Sequence, residues 1–401
     1  MKLRLSHTLL AFAATCNLSA AEFYVSPAVT DNAVYTLHET TFTGGKNAFS
    51  TIAEAVDQAN EYDKIYIQPG TYSESITIST TGIFLSGANA YGDNLAGTRS
   101  AEESIITGTV SVNANDVTIN GFRFTGTGRV VNTSASAQNQ LSDFTFSYNV
   151  ADNLTPVTTG PDALLSMGTE YSGTAAALEA NNCRYSRLTI VNNEFKGSAD
   201  HRVPFIALSN ASDYVNITHN SFSGEGQSVS ITNSQDSIEI SNNRFCDMTT
   251  SADQPVILLK YVGVKTAHMS ICNNEFNNCH KPLSGLSPIH LDQGQDAAHV
   301  TATTGTSLRI NHNVIKNFTS EEQDSDYNYF LWADASTCAP ITIDPRFNRC
   351  DNSKIAFGMA STPWETAPQR YLSGSTGLFD FDAAGVTADY YETPIGTQAH
   401  P

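Results

Sequence analysis

Apolar and polar residues alternate in short runs along most of the chain, and one run recurs. It reads Leu188-Thr-Ile190-Val-Asn192-Asn193-Glu-Phe195 and returns as Val215-Asn-Ile217-Thr-His219-Asn220-Ser-Phe222 and Ile238-Glu-Ile240-Ser-Asn242-Asn243-Arg-Phe245. It comes again as Met269-Ser-Ile271-Cys-Asn273-Asn274-Glu-Phe276 and Leu308-Arg-Ile310-Asn-His312-Asn313-Val-Ile315. Weaker copies precede it, from Val117 to Phe124 and from Phe144 to Asn149. Residues two apart share one face of a strand, so Leu188 with Ile190, and their equivalents, predict strands with one buried side. The Asn that closes each copy tolerates a left-handed backbone and can bond its neighbours. It predicts a turn, after which a second strand begins.

The closing Asn recurs at intervals of 27, 23, 31 and 39 residues. A period of roughly 20–45 residues signals a solenoid. A strand, a turn and a further strand per repeat, with no helical pattern between, predict an all-β fold, a parallel β-helix of about eight to ten coils. In it Asn193, Asn220, Asn243, Asn274 and Asn313 stack as a ladder, each amide donating to one neighbour and accepting from another. An antiparallel sandwich is the alternative, but its turns would not place Asn at one offset from Ile five times.

Between the phrases lies a second strand per coil: Ile206–Ser209, Val229–Thr232, Ile257–Lys260, Ile289–Asp292 and Leu331–Asp334. First and third residues are apolar and point inward; second and fourth then face solvent in two columns. One column is Ala207, Ser230, Leu258, His290 and Trp332; the other is Ser209, Thr232, Lys260, Asp292 and Asp334. With coils ~4.8 Å apart, Lys260, His290 and Asp292 come within reach of one another.

These residue types suit β-elimination of a uronate, which needs a base at C5, a cation for the carboxylate-enolate and an acid for the leaving oxygen. Lys260 and His290 divide the roles of base and charge stabiliser, and Trp332 can stack on a sugar ring. A surface ion pair between Lys260 and Asp292 is the plainer alternative, worth ~0–1 kcal/mol. A glycoside hydrolase would use Asp292 with Asp334, since inverting enzymes need carboxyls ~6.5–9.5 Å apart. Arg202, following His201 at the start of a coil, could meet an acidic ligand. Glu321, Glu322, Asp324 and Asp326 crowd one loop and could bind Ca²⁺, although the loop lacks EF-hand spacing. The intervals 149–193 and 274–313 each exceed one coil, so Gly160–Ala180 and Gln293–Thr306 read as loops beside a groove.

Met1-Lys-Leu-Arg4, the apolar run Leu9–Ala14 and the small residues Ser19-Ala20-Ala21 have the form of a cleavable secretory signal, residues 1–21. The run is far below the ~18 residues of a membrane span. The expected mature protein is secreted or periplasmic, soluble and monomeric. The formal net charge of −19 makes nucleic acid a poor partner. Six cysteines follow the leader, an even number that permits disulfides in an exported protein. Cys338 and Cys350 are the best-placed pair; buried, unpaired thiols are the alternative.

The mature chain opens on a strand, Glu22–Pro27, followed by a helix over 51–60. Thr51 and Glu54 make a capping box, and Ile52, Ala55, Val56 and Ala59 form one apolar face. Strands follow at 63–72 and 74–78. This stretch resembles the amino-terminal cap of secreted right-handed parallel β-helix proteins of the pectate-lyase-like superfamily, including the chondroitinase-B-like alginate and chondroitin lyases. Ile343–Phe347 and Phe381–Gly396 resemble their closing segment. The resemblance implies a right-handed solenoid with a short capping helix over its open end, arranged as cap and first coils at 22–80, repeats at 81–340 and a closing segment at 341–401. It also implies a carbohydrate substrate, a catalytic Lys on the strand face, here Lys260, and Ca²⁺ in some members. The Arg-His-Gly segment those lyases carry on the following coil is not present, since Ile289 and Leu291 flank His290. The Gly-Asp-Asp and Gly-His-Gly signatures of β-helix hydrolases are also missing. Two functions follow: a polysaccharide-active enzyme, foremost a uronate lyase, or a non-catalytic β-helix that binds glycans or a surface.

Overall fold

The computed structural model describes residues 20–93, 96–126, 128–133, 141–154, 163–167, 185–197, 203–209, 214–224, 227–232, 236–250, 254–260, 262, 268–282, 287–292, 306–321, 329–334, 342–344, 348–351 and 356–360. Three parallel sheets run along this chain, of 12, 10 and 10 strands. Sheet 1 holds the first half of each repeated phrase, as in Leu188–Val191, Val215–Thr218 and Ile238–Ser241. Sheet 3 holds the second half, as in Glu194–Lys196, Ser221–Ser223 and Arg244–Cys246. Sheet 2 holds the intervening strands, as in Ile206–Ser209, Val229–Thr232 and Ile257–Lys260. The chain visits sheets 1, 3 and 2 in turn and advances one rung, giving a right-handed parallel β-helix.

Each coil thus has three strands where the sequence pattern predicted two, because the phrase spans a corner. The corner residue is not the ladder Asn but the one before it. Tyr148, Asn192, His219, Asn242, Asn273 and His312 all take φ between 55 and 58°. That single left-handed residue swings the chain from sheet 1 to sheet 3 and turns the next side chain inward. The interval 149–193 makes one coil, and the stretch 160–180, read as a loop, contains its sheet 2 strand Leu165–Met167 between Val131–Thr133 and Ile206–Ser209; the rest of that stretch beyond 163–167, and 293–305, lie outside the described residues.

The core is a set of columns parallel to the axis. Leu188, Ile190 and their equivalents are fully buried on sheet 1. Inside sheet 3, Phe195, Phe222, Phe245 and Phe276 stack with centroids 5.1, 5.0 and 4.7 Å apart, each pair adding about 0.5–1.5 kcal/mol beyond area burial. Beside them runs the asparagine column. Asn193, Asn220, Asn243, Asn274 and Asn313, with Asn149 and Asn348 at its two ends, are at most 2 % exposed. From Asn149 to Asn313, each donates its backbone and side-chain N–H groups to Oδ1 of the next at 2.9–3.2 Å.

The amino-terminal end is closed by the helix Ile52–Gln58, which buries Ile52, Ala55 and Val56 against the first strands. It is shorter than predicted, with Ala59 already extended. Thr51 Oγ1 accepts from the Glu54 N–H at 3.3 Å, and the Glu74 carboxylate takes the Ile52 and Ala53 N–H groups at 2.8 and 2.9 Å. The cap is therefore shared with a residue 22 and 21 positions downstream of the amides it binds, which local spacing does not reveal. An antiparallel hairpin, Val34–Leu37 with Thr40–Thr43, stands beside this end. Among the described residues, no helix is long and apolar enough to cross a membrane.

Candidate functional site

Parallel pairing on sheet 2 sets the two outward columns. Ala207, Ser230, Leu258, His290 and Trp332 are successive register partners, as are Ser209, Thr232, Lys260, Asp292 and Asp334. The inward residues Ile257, Leu259, Ile289 and Leu291 are fully buried and fix this register, because a one-residue slip would expose them all.

Lys260 Nζ lies 2.9 Å from Asp292 Oδ2, with the side chains 35 % and 24 % exposed. The ammonium is therefore held on the outer face by a carboxylate from the next coil. His290, two residues before Asp292, shares that face, about 6.6 Å along the strand from it. Its expected exposure is not what the structure shows: the side chain is only 6 % exposed. Alternation fixes which face a residue takes, not what packs over that face. Ser209 and Thr232 are half-buried on the same side.

Trp332 and Asp334 sit in the next strand by register, but their side chains lie outside the described residues, as do Arg202, Cys338 and 322–328 with Glu322, Asp324 and Asp326. Cys350 is in the strand Arg349–Asp351, its side chain likewise outside the description. Cys246, Cys272 and Cys279 are free thiols. Among the described residues no three His, Cys, Asp or Glu side chains converge as a metal site.

A second concavity carries no signature in the sequence. It is a groove of about 600 Å³ on the outer face of sheet 1 near the capped end, lined by His38, Lys64, Tyr66, Phe84, Tyr91 and Glu102 among others. Its residues come from strands and loops with no repeated motif, so only an exposed-aromatic count could have hinted at it.

No family model matches the chain, and no curated protein matches it. Solved structures do. A pectin methylesterase in complex with a hexasaccharide is 13 % identical, covers 86 % of this chain and 81 % of its own, and superposes with a TM-score of 0.24. An alginate lyase in complex with G6 is 10 % identical over 92 % of this chain and 84 % of its own, with a TM-score of 0.27. An alginate lyase of family PL6 in complex with a trisaccharide is 11 % identical over the same shares, with a TM-score of 0.28.

Proposed function

We propose that this protein is exported, its residues 1–21 serving as a leader, and acts on a uronate-containing polysaccharide at the outer face of sheet 2. The observation that carries the proposal is the Lys260–Asp292 pair at 2.9 Å, set on the same face as His290. Held against the Asp292 carboxylate at 2.9 Å, Lys260 is assigned charge stabilisation and His290 proton abstraction. In this mechanism Lys260 meets the substrate carboxylate and stabilises the enolate that forms from it. The imidazole of His290 takes the C5 proton. The C4–O bond then breaks, and the imidazolium returns the proton to the leaving oxygen. Asp292 keeps the ammonium in place. Trp332 and Asp334 on one side, and Thr232 and Ser209 on the other, extend the face along neighbouring coils for further sugar residues. These steps are written for side chains alone; a Ca²⁺ ion, if used, would be held by the acidic stretch of Glu321, Glu322, Asp324 and Asp326, of which 322–328 lie outside the described residues.

A non-catalytic glycan-binding role is favoured by one observation, the low exposure of His290, since a base must reach its proton. Hydrolysis would draw on Asp292 and Asp334, which are direct register partners. Strand neighbours are ~4.8 Å apart at the backbone, nearer the ~5–5.5 Å of retaining carboxyls than the ~6.5–9.5 Å of inverting ones.

The test is incubation of the purified mature protein with alginate, polygalacturonate and chondroitin. Ultraviolet absorbance follows unsaturated ends and mass spectrometry identifies the products. Unsaturated oligosaccharides support elimination, saturated ones support hydrolysis, and binding without cleavage leaves the glycan-binding role.

A further inference from the structure

The groove at the capped end is built with more care than a surface dip requires. Its floor is the outer face of sheet 1, Lys64 and Tyr66 on one strand and Phe84 and Ser86 on the next. One wall is the tip of the hairpin. His38 and Glu39 form its turn with φ of 47 and 68°, and the His38 ring meets the Tyr66 ring edge-on at 5.8 Å. Tyr66 is in turn fixed by donating its hydroxyl to Glu22 Oε1 at 3.1 Å, while Thr40 of the hairpin donates to Oε2 of the same carboxylate at 3.0 Å.

The other wall carries Tyr91, which is 67 % exposed with φ of 67°. A left-handed backbone is disfavoured for a non-glycine residue, and such strain persists only where the surroundings impose it. Here they do. The Tyr91 N–H donates to Asn120 Oδ1 at 3.2 Å. The buried Asn89 binds Ser100 and Glu102 through its amide group. Arg99, paired with Glu103 at 2.8 Å, donates to the Tyr148 and Phe122 carbonyls at 2.6 and 2.9 Å. These bonds fix the loop that carries Tyr91, whose ring lines the groove and meets the Tyr148 ring edge-on at 5.7 Å.

Sugars fit this chemistry. The apolar face of a pyranose stacks on tyrosine and phenylalanine rings, and its hydroxyls find Gln68, Ser86, Ser100 and Glu102 among the lining. The volume falls within the ~300–1,000 Å³ of small-ligand sites. Lys64 is exposed and, among the described residues, has no ion-pair partner, in a chain where 40 acidic residues face 21 Lys and Arg.

We infer that this groove is a second, non-catalytic binding site for a short acidic oligosaccharide, with Tyr91, Phe84 and Tyr66 stacking on its rings and Lys64 taking a carboxylate. It lies six sheet steps from the coil of Lys260, about 29 Å along the axis at ~4.8 Å per step, and on a different sheet. It therefore anchors a polymer at a distance rather than extending the sheet 2 face. The inference shares with the proposed function only the choice of an acidic sugar.

The experiment is calorimetric titration of the mature protein with oligoguluronate and oligogalacturonate hexasaccharides and with neutral cellohexaose. Four proteins are compared: wild type, Tyr91→Gly, Lys64→Gln and Lys260→Ala. Glycine removes the ring and its edge contact with Tyr148 but relieves the left-handed strain, so Tyr91→Gly should melt close to wild type. The expected result is a site for an acidic hexasaccharide that persists in Lys260→Ala. Losing one stacked ring weakens it about tenfold in Tyr91→Gly, and Lys64→Gln weakens it for acidic sugars only. The inference is overturned if no hexasaccharide binds, if Tyr91→Gly binds like wild type, or if cellohexaose binds as tightly as the acidic sugars. Binding lost in Tyr91→Gly without cleavage of any polymer sinks the lyase role and keeps this site. Cleavage with binding unchanged in Tyr91→Gly does the reverse.

Discussion

Asn243 donates both its backbone N–H and its side-chain amide to a single atom, Oδ1 of Asn274, at 2.9 and 3.1 Å. Its own Oδ1 receives the same pair of donors from Asn220, and its amide also reaches the Ile217 carbonyl at 2.8 Å. The column satisfies a backbone corner and a side chain together on every coil, in a core that admits no unpaired polar group cheaply.

Asn243→Ala therefore removes a donor from Ile217 and the acceptor shared by the two Asn220 donors. A loss of about 1–3 kcal/mol is expected, measured as a lower midpoint in urea, with the far-ultraviolet spectrum unchanged in water.

Phe245 is fully buried and stacked between Phe222 and Phe276. Phe245→Ala should cost about 3–5 kcal/mol. Phe245→Leu should cost clearly less, because two rungs on, beyond Phe276, the column already carries the aliphatic Ile315 at this position. Equal midpoints for the two variants would show that stacking, not volume, holds the column.

Lys260→Ala separates function from stability. The pair with Asp292 is partly exposed, and exposed pairs contribute ~0–1 kcal/mol, so the melting temperature should hardly move. Product formation should fall by ~10²–10⁴-fold if the ammonium acts in the transition state. A variant as active as wild type removes Lys260 from the mechanism.

Glu239 accepts hydrogen bonds from Tyr214 and Ser241, and these hold its carboxyl below the ordinary value of 4.5. The folded pKa lies below the unfolded one, so this contribution is complete above pH 4.5 and is lost as pH falls through the folded value. Glu239→Gln should flatten the acid limb of a melting-temperature profile and leave the curve above pH 7 similar in slope.

Burial pushes the Cys279 thiol up to about 12. At pH 8 iodoacetamide should leave Cys279 unmodified in the folded protein and label it in guanidinium, as peptide mass mapping will show. Native labelling at this position would mean that the coil opens locally.

The sequence by itself determined the solenoid, because its signals are local and repeated. Period-two alternation assigns Leu188, Ile190 and their equivalents to one face, and an Asn at constant offset has to stack once the strands pair in parallel. The same logic aligned Lys260 with Asp292, 32 residues apart, since parallel pairing converts equal positions in the phrase into neighbours. What alternation cannot express is the corner. The left-handed residue, the third sheet and the inward turn of Asn193 follow from closing the coil in three dimensions. Tertiary structure alone decided that His290 lies covered, because exposure depends on what packs over a face. It also decided the groove, which gathers His38, Tyr66 and Tyr91 from a hairpin, a strand and a loop. No period links those residues; the Glu22 carboxylate ties the hairpin to Tyr66, and Asn120 receives the backbone N–H of Tyr91 from the facing loop.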